Sequence, residues 1–157
     1  MNIQQLALTF FDSAMETTIK SIESTPIDKL NWKPSDTAKS VLQIAAHIGS
    51  ANGWFCQVMK DGKTKYVNPA EEFSGSAQFE SQFDTKEKVI QLLSDTSEQL
   101  KSMINGFSES DMANKQISFF GNQRPLYRFI FIPEGHTSDH AAQMNYLQTI
   151  WGDLEMR

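Results

Sequence analysis

VLQIAAHIGSANGWFCQVMK, residues 41–60, is the stretch whose reading settles the fold class. Around His47, the residues at i−3, i+4, i+7 and i+11 are Ile44, Ala51, Trp54 and Val58, one apolar face of a helix. Ser40, with Gln43 three residues on, makes a capping box in which each side chain satisfies a free backbone N–H of the first turn. Gly62 after Asp61 marks the stop, because glycine takes the left-handed backbone that ends a helix. Start, face and stop agree.

The same period extends outward on both sides. From Ile3 to Ile22 the apolar residues Leu6, Phe10, Ala14, Met15, Ile19 and Ile22 form a helical stripe, followed by a connector, residues 25–40, with two prolines. Residues 61–84 keep no period. Asn68-Pro69 and Ser74-Gly75-Ser76 are turn signals there, but Phe73, Phe79 and Phe83 are too apolar for a free linker. The segment is expected to be a long loop folded back on the body, with room for a short helical turn. Asp84 with Glu87 then opens a third helix over Val89, Leu92, Leu93, Thr96, Leu100 and Met103, ending at Asn105-Gly106. ISFFGNQRPLYRFIFI, residues 117–132, reads two ways: a hairpin around Gly121-Asn122, or a loop leading into a helix with Pro125 in its first turn. His136 to Trp151 is helical and stops at Gly152. Pro133 either starts that helix or kinks a longer one begun near Leu126, and the kinked long helix is the preferred reading. The expected fold is all-α: an antiparallel four-helix bundle with a long loop between helices 2 and 3.

Composition bounds the function. The 157 residues suit one domain, 1–157, able to bury roughly two thirds of its unfolded surface. Nineteen acidic against fourteen basic residues, a net charge of -5, argue against a nucleic-acid surface, which needs clustered Lys and Arg. The single cysteine, Cys56, excludes an internal disulfide and any cysteine-based metal cluster. No apolar run approaches the ~18 residues of a membrane span, and MNIQQLALTF lacks the basic start of a secretory signal. A cytoplasmic protein without membrane contact is expected.

The chain has three histidines, and they carry the chemistry. His136 and His140 lie four residues apart, so both rings leave one helix face, and that face continues through Gln143, Leu147 and Ile150. His47 sits on the apolar face of its own helix. Two inward faces can bring the three imidazoles together as a divalent-metal site with a fourth position left for water or substrate. A metalloprotease would need H-E-x-x-H with the Glu as base; here the motif is HTSDH, with Thr137 in that place. Asp139 and Gln143 are the nearest polar candidates for a role in catalysis, each within a turn of a histidine. Cys56, nine residues past His47 and about 180° round the helix, reads as a small buried hydrophobe rather than a nucleophile.

Trp32-Lys33-Pro34 in the connector, His47 on the next helix, and His136, His140, Gln143 and Gly152 at the end together resemble the DinB-like superfamily of metal-binding four-helix proteins. The resemblance implies that His47, His136 and His140 bind one divalent ion, zinc or nickel, and that the chain is a homodimer. It also implies relatedness to transferases that use low-molecular-weight thiols. Two features depart from the pattern: Ala141-Ala142 stand where an Arg-Gly is common, and Thr137 where an acidic residue is common. The leading expectation is a metal-dependent enzyme, a hydrolase or thiol S-transferase acting on a small molecule. The alternative is a non-catalytic metal-binding stress-response module. A DNA-damage partner, suggested by the family name alone, conflicts with the acidic charge. A cleft beside the metal walled by Trp54, Phe73 or Tyr146 would favour the enzyme.

Overall fold

A computed structural model describes residues 1–155. Four long helices carry the structure: α1 (Ile3–Ser24), α2 (Val41–Asp61), α5 (Lys86–Asn105) and α8 (Ile132–Ile150). Shorter elements join them: α3 (Pro69–Glu72), α4 (Ser76–Glu80), α6 (Glu109–Asn114), strands β1 (Gln116–Phe119) and β2 (Asn122–Pro125), and α7 (Leu126–Phe129). A single 3₁₀ turn, Ile27–Lys29, lies in the proline-bearing connector. No described helix is long and apolar enough to cross a membrane.

The ends of α2 are where local chemistry puts them. Ser40 and Gln43 form the reciprocal capping box, and Gly62 closes the helix in the left-handed conformation at φ 72°. For α5 the cap lies one residue later than expected: Thr85, not Asp84, accepts from the Lys88 N–H. On α1 the buried face is Ala7, Phe11, Ala14, Met15, Thr18 and Ile22, while Leu6 and Phe10 of the expected stripe are exposed, Phe10 by 50%. The adjacent Phe11 takes the core place.

Helix directions follow from which residues meet. Gln4 at the start of α1 donates to the Ile104 carbonyl at the end of α5 (2.7 Å), and Lys86 at the start of α5 donates to the Glu23 carbonyl (2.8 Å), so these two are antiparallel. Phe55 and His47 of α2 meet His136 and His140 of α8 in reverse order, so that pair is antiparallel too. On α2, however, Gly49 faces Leu92 and Gly53 faces Thr96 of α5, in the same order. These helices run parallel, which corrects an all-antiparallel arrangement. The chain must therefore return about 30 Å, the length of α2, before α5 begins, and residues 62–85 make that return. The long connection holds two short helices, α3 and α4, rather than one turn. Gly49 lets α2 and α5 close up: a Cβ there would stand 2.6 Å from the Leu92 Cγ.

Residues 116–125 take the hairpin reading, and the long helix expected from near Leu126 does begin there but is broken into α7 and α8 at residues 130–131. The hairpin is antiparallel with Phe119 opposite Asn122, and both turn residues, Phe120 (φ 48°) and Gly121 (φ 79°), are left-handed. Such turns match the right-handed twist of the flanking strands. The hairpin is tied to the end of α2 by Thr64 N–H to the Ser118 carbonyl (3.0 Å) and Ser118 N–H to the Gly62 carbonyl (2.8 Å). Helix α8 starts afresh at Ile132, with Pro133 in its first turn, where a missing N–H breaks no hydrogen bond.

The core lies between the long helices, with Phe11, Phe55, Leu93, Leu100, Ile104 and Phe129 almost fully buried. On α8 the buried stripe is Thr137, Ala141, Met144 and Gln148, and Leu147, expected inward, is buried beside it. Gln143 and Ile150, expected inward, are exposed. His136 and His140 stand one residue back from that stripe, about 100° round the helix. They flank the core rather than point into its centre.

Candidate metal centre

Three helical positions deliver three imidazoles to one place. His47, His136 and His140 each offer a nitrogen, and these atoms lie within 4.8 Å of one another. All three rings are half-buried, so the cluster is not sealed.

The outer nitrogens decide what the inner ones can do. His47 Nδ1 is 2.7 Å from Glu80 Oε1. An ionised carboxylate only accepts, so Nδ1 carries the hydrogen, and in the neutral ring the lone pair is on Nε2, toward the cluster. Burial would push the Glu80 carboxyl up, but hydrogen bonds from His47 and Lys39 outweigh it and hold it below the usual carboxylate range. His140 Nδ1 in turn donates to Gln143 Oε1 at 2.9 Å, again leaving Nε2 free. His136 is different. Its Nδ1 is buried with no hydrogen-bond partner among the described residues, while its Nε2 faces His47 Nε2 at 3.3 Å. Burial, then the neighbouring His140 and His47, push its pKa down to about 3. Burial likewise lowers His140, against the opposing pull of the Gln143 hydrogen bond. At neutral pH His136 and His140 are therefore neutral rings, the form that binds metal.

The spacing fits a divalent ion. Two nitrogens each about 2.0–2.1 Å from one tetrahedral centre stand about 3.3–3.4 Å apart. The observed Nε2–Nε2 separation is 3.3 Å. A three-imidazole donor set suits zinc and nickel alike and leaves a position open.

Of the two polar candidates, Gln143 joins the cluster through His140, whereas Asp139 is exposed and touches His140 only through its field. Thr137 is fully buried and donates to the Pro133 carbonyl at 2.8 Å. Cys56 is buried away from the histidines, lining a cavity with Met103 and Phe107, and burial pushes its thiol up to about 11.

Trp54 and Phe73, ring centroids 4.9 Å apart, line a cavity of about 220 Å³ together with Phe79, His47 and Glu80. Tyr146 is not a wall; it is 68% exposed. The residues that sequence reasoning missed are Glu80 and Lys39. Glu80 lies in the aperiodic crossover, so no spacing tied it to His47. The one available signal was the phenylalanine-rich character of residues 73–83, which folds an adjacent carboxylate back on the body.

The family model described as DinB superfamily matches residues 11–144, a stretch that includes all three histidines. Among curated proteins, none matches the chain.

Proposed function

Because the chain belongs to the DinB superfamily, we propose that it is a divalent-metal-binding protein, built on that family's four-helix bundle, in which His47, His136 and His140 hold one zinc or nickel ion. The observation that carries this is the convergence of the three rings, with Glu80 and Gln143 on the outer nitrogens of His47 and His140, so that the other nitrogens are left for a shared ion.

The favoured activity is that of a metal-dependent enzyme, a hydrolase or a low-molecular-weight-thiol S-transferase. The chemistry a bound divalent ion supplies is Lewis-acid activation of a water or a thiol. The chain's own part is to keep His136 and His140 neutral, to aim the three imidazoles, and to leave the cluster half-exposed. The Trp54–Phe73 wall beside His47 offers apolar surface to a small substrate. A second reading, a non-catalytic metal-binding stress-response module, is supported by Thr137. Where the family commonly has an acidic residue, this side chain is buried and bonded within its own helix. The chain is further proposed to be a homodimer, with Phe10, Ile3 and Leu6 on the exposed face of α1 as the apolar surface to be covered.

Protein purified without a polyhistidine tag should carry about one divalent ion per chain by elemental analysis; unchanged metal content in His140→Ala would refute the site. Hydrolase and thiol-transferase screening of metal-loaded protein separates the readings. An activity lost on chelation and restored by metal supports the enzyme, and none across both classes supports the module. A sedimentation mass of one chain at micromolar concentration would rule out the dimer.

A further inference from the structure

We propose that Glu80 is a positioning residue of the metal centre, carried to it by the α2–α5 crossover, where it fixes the orientation and tautomer of His47 and is itself held by Lys39. The proposal rests on the metal reading above and adds a residue to it.

Glu80 is a charged side chain only 8% exposed. A carboxylate placed so needs compensation, since unpaired burial of a charge is strongly unfavourable. Both of its oxygens are matched: Oε1 lies 2.7 Å from His47 Nδ1, and Oε2 lies 2.7 Å from Lys39 Nζ. Lys39 immediately precedes the N-cap of α2, so one short stretch supplies both the ligand and the clamp on its support.

The placement is built into the crossover rather than into one rotamer. Eight residues before Glu80, Glu72 makes a parallel attachment, accepting from Trp54 Nε1 at 2.7 Å and from the Tyr66 N–H at 2.6 Å. Trp54 lies two turns beyond His47 on the same face of α2. The crossover is therefore pinned to that face at two points, each by a carboxylate, and the second pin ends on the histidine. With Nδ1 occupied, the ring cannot turn its other nitrogen inward without leaving a buried charge short of a partner. A carboxylate in this position also raises the basicity of the nitrogen opposite. The three histidines are thus graded by their outer partner: a carboxylate for His47, an amide for His140, none for His136 among the described residues.

The test is zinc affinity of the full chain by chelator competition, for wild type, E80A, E80Q, H47A and H47A/E80A, with the visible spectrum of the cobalt-substituted protein as a second readout. E80Q, which keeps the shape and an acceptor but loses the charge, should weaken zinc binding by about tenfold. E80A should weaken it further, toward about a hundredfold. The cobalt bands should shift in both. In the H47A background, E80A should change nothing more, because Glu80 acts through His47. Should E80A fail to fold, E80Q decides. Zinc affinity and cobalt spectrum of E80Q indistinguishable from wild type would overturn the proposal, as would an equal extra loss from E80A on H47A. A wild-type chain that binds no stoichiometric zinc would instead sink the metal reading itself.

Discussion

The outer nitrogen of a histidine is a small feature with large leverage, and Gln143 shows it on the side of the cluster away from Glu80. Its Oε1 accepts from His140 Nδ1, so the side chain supports a ligand rather than facing a substrate. Gln143→Ala should therefore lower metal affinity by about tenfold or more, read by chelator competition. A variant with unchanged affinity but slower turnover would place it on substrate instead. Cys56 gives a second residue-scale expectation. Its thiol is raised by burial to about 11 from an ordinary value of 9.0, so it stays protonated at neutral pH. Because the folded value lies above the unfolded one, the group favours folding fully below pH ~9, and that contribution is lost as pH rises toward ~11. Alkylation by iodoacetamide at pH 8 should be slow in the native protein and fast in denaturant. Rapid native labelling would contradict the burial.

Among elements, α2 is the one on which everything else is hung. Phe55, 2% exposed, meets Phe129 of α7 and His136 of α8, so one ring joins three elements and borders the metal cluster. Phe55→Ala should cost about 3–5 kcal/mol in denaturant unfolding; a loss under about 1 kcal/mol would show that the neighbours collapse into the gap. The ends of α2 were legible in the sequence because caps are local chemistry: Ser40, Gln43 and Gly62 act within one turn. The hairpin was legible only as an alternative. Phe120 adopts a positive φ that its residue type disfavours, so the signal rested on Gly121 alone and sat one residue out of register. The histidines could be assigned to neighbouring helices from periodicity. Their stance on the flank of α8 could not, because Ala141 and Thr137 offer less apolar bulk than Ile150 and yet are buried while Ile150 is exposed. Glu80 was beyond reach for a different reason: its contact with His47 spans 33 residues and depends on how the crossover folds.

For the whole molecule, the centre draws on α2, α8 and the crossover between α2 and α5, so binding an ion there ties together parts that no local interaction joins. Metal held at a hundred times its dissociation constant adds about 2.7 kcal/mol to stability, worth roughly 5–10 °C in the melting temperature of a chain this long. Chelation should remove that increment, and His136→Ala should abolish it; a melting temperature indifferent to metal would count against the site. The pairing of His47 with His136 also bears on folding rates. The two are 89 residues apart, so an ion that holds both closes a long loop. Contacts between distant residues form late, after local helical turns have been made. The ion should therefore act as a late latch: in stopped-flow chevrons it should leave the refolding limb almost where it was and slow the unfolding limb by most of the stabilisation it confers.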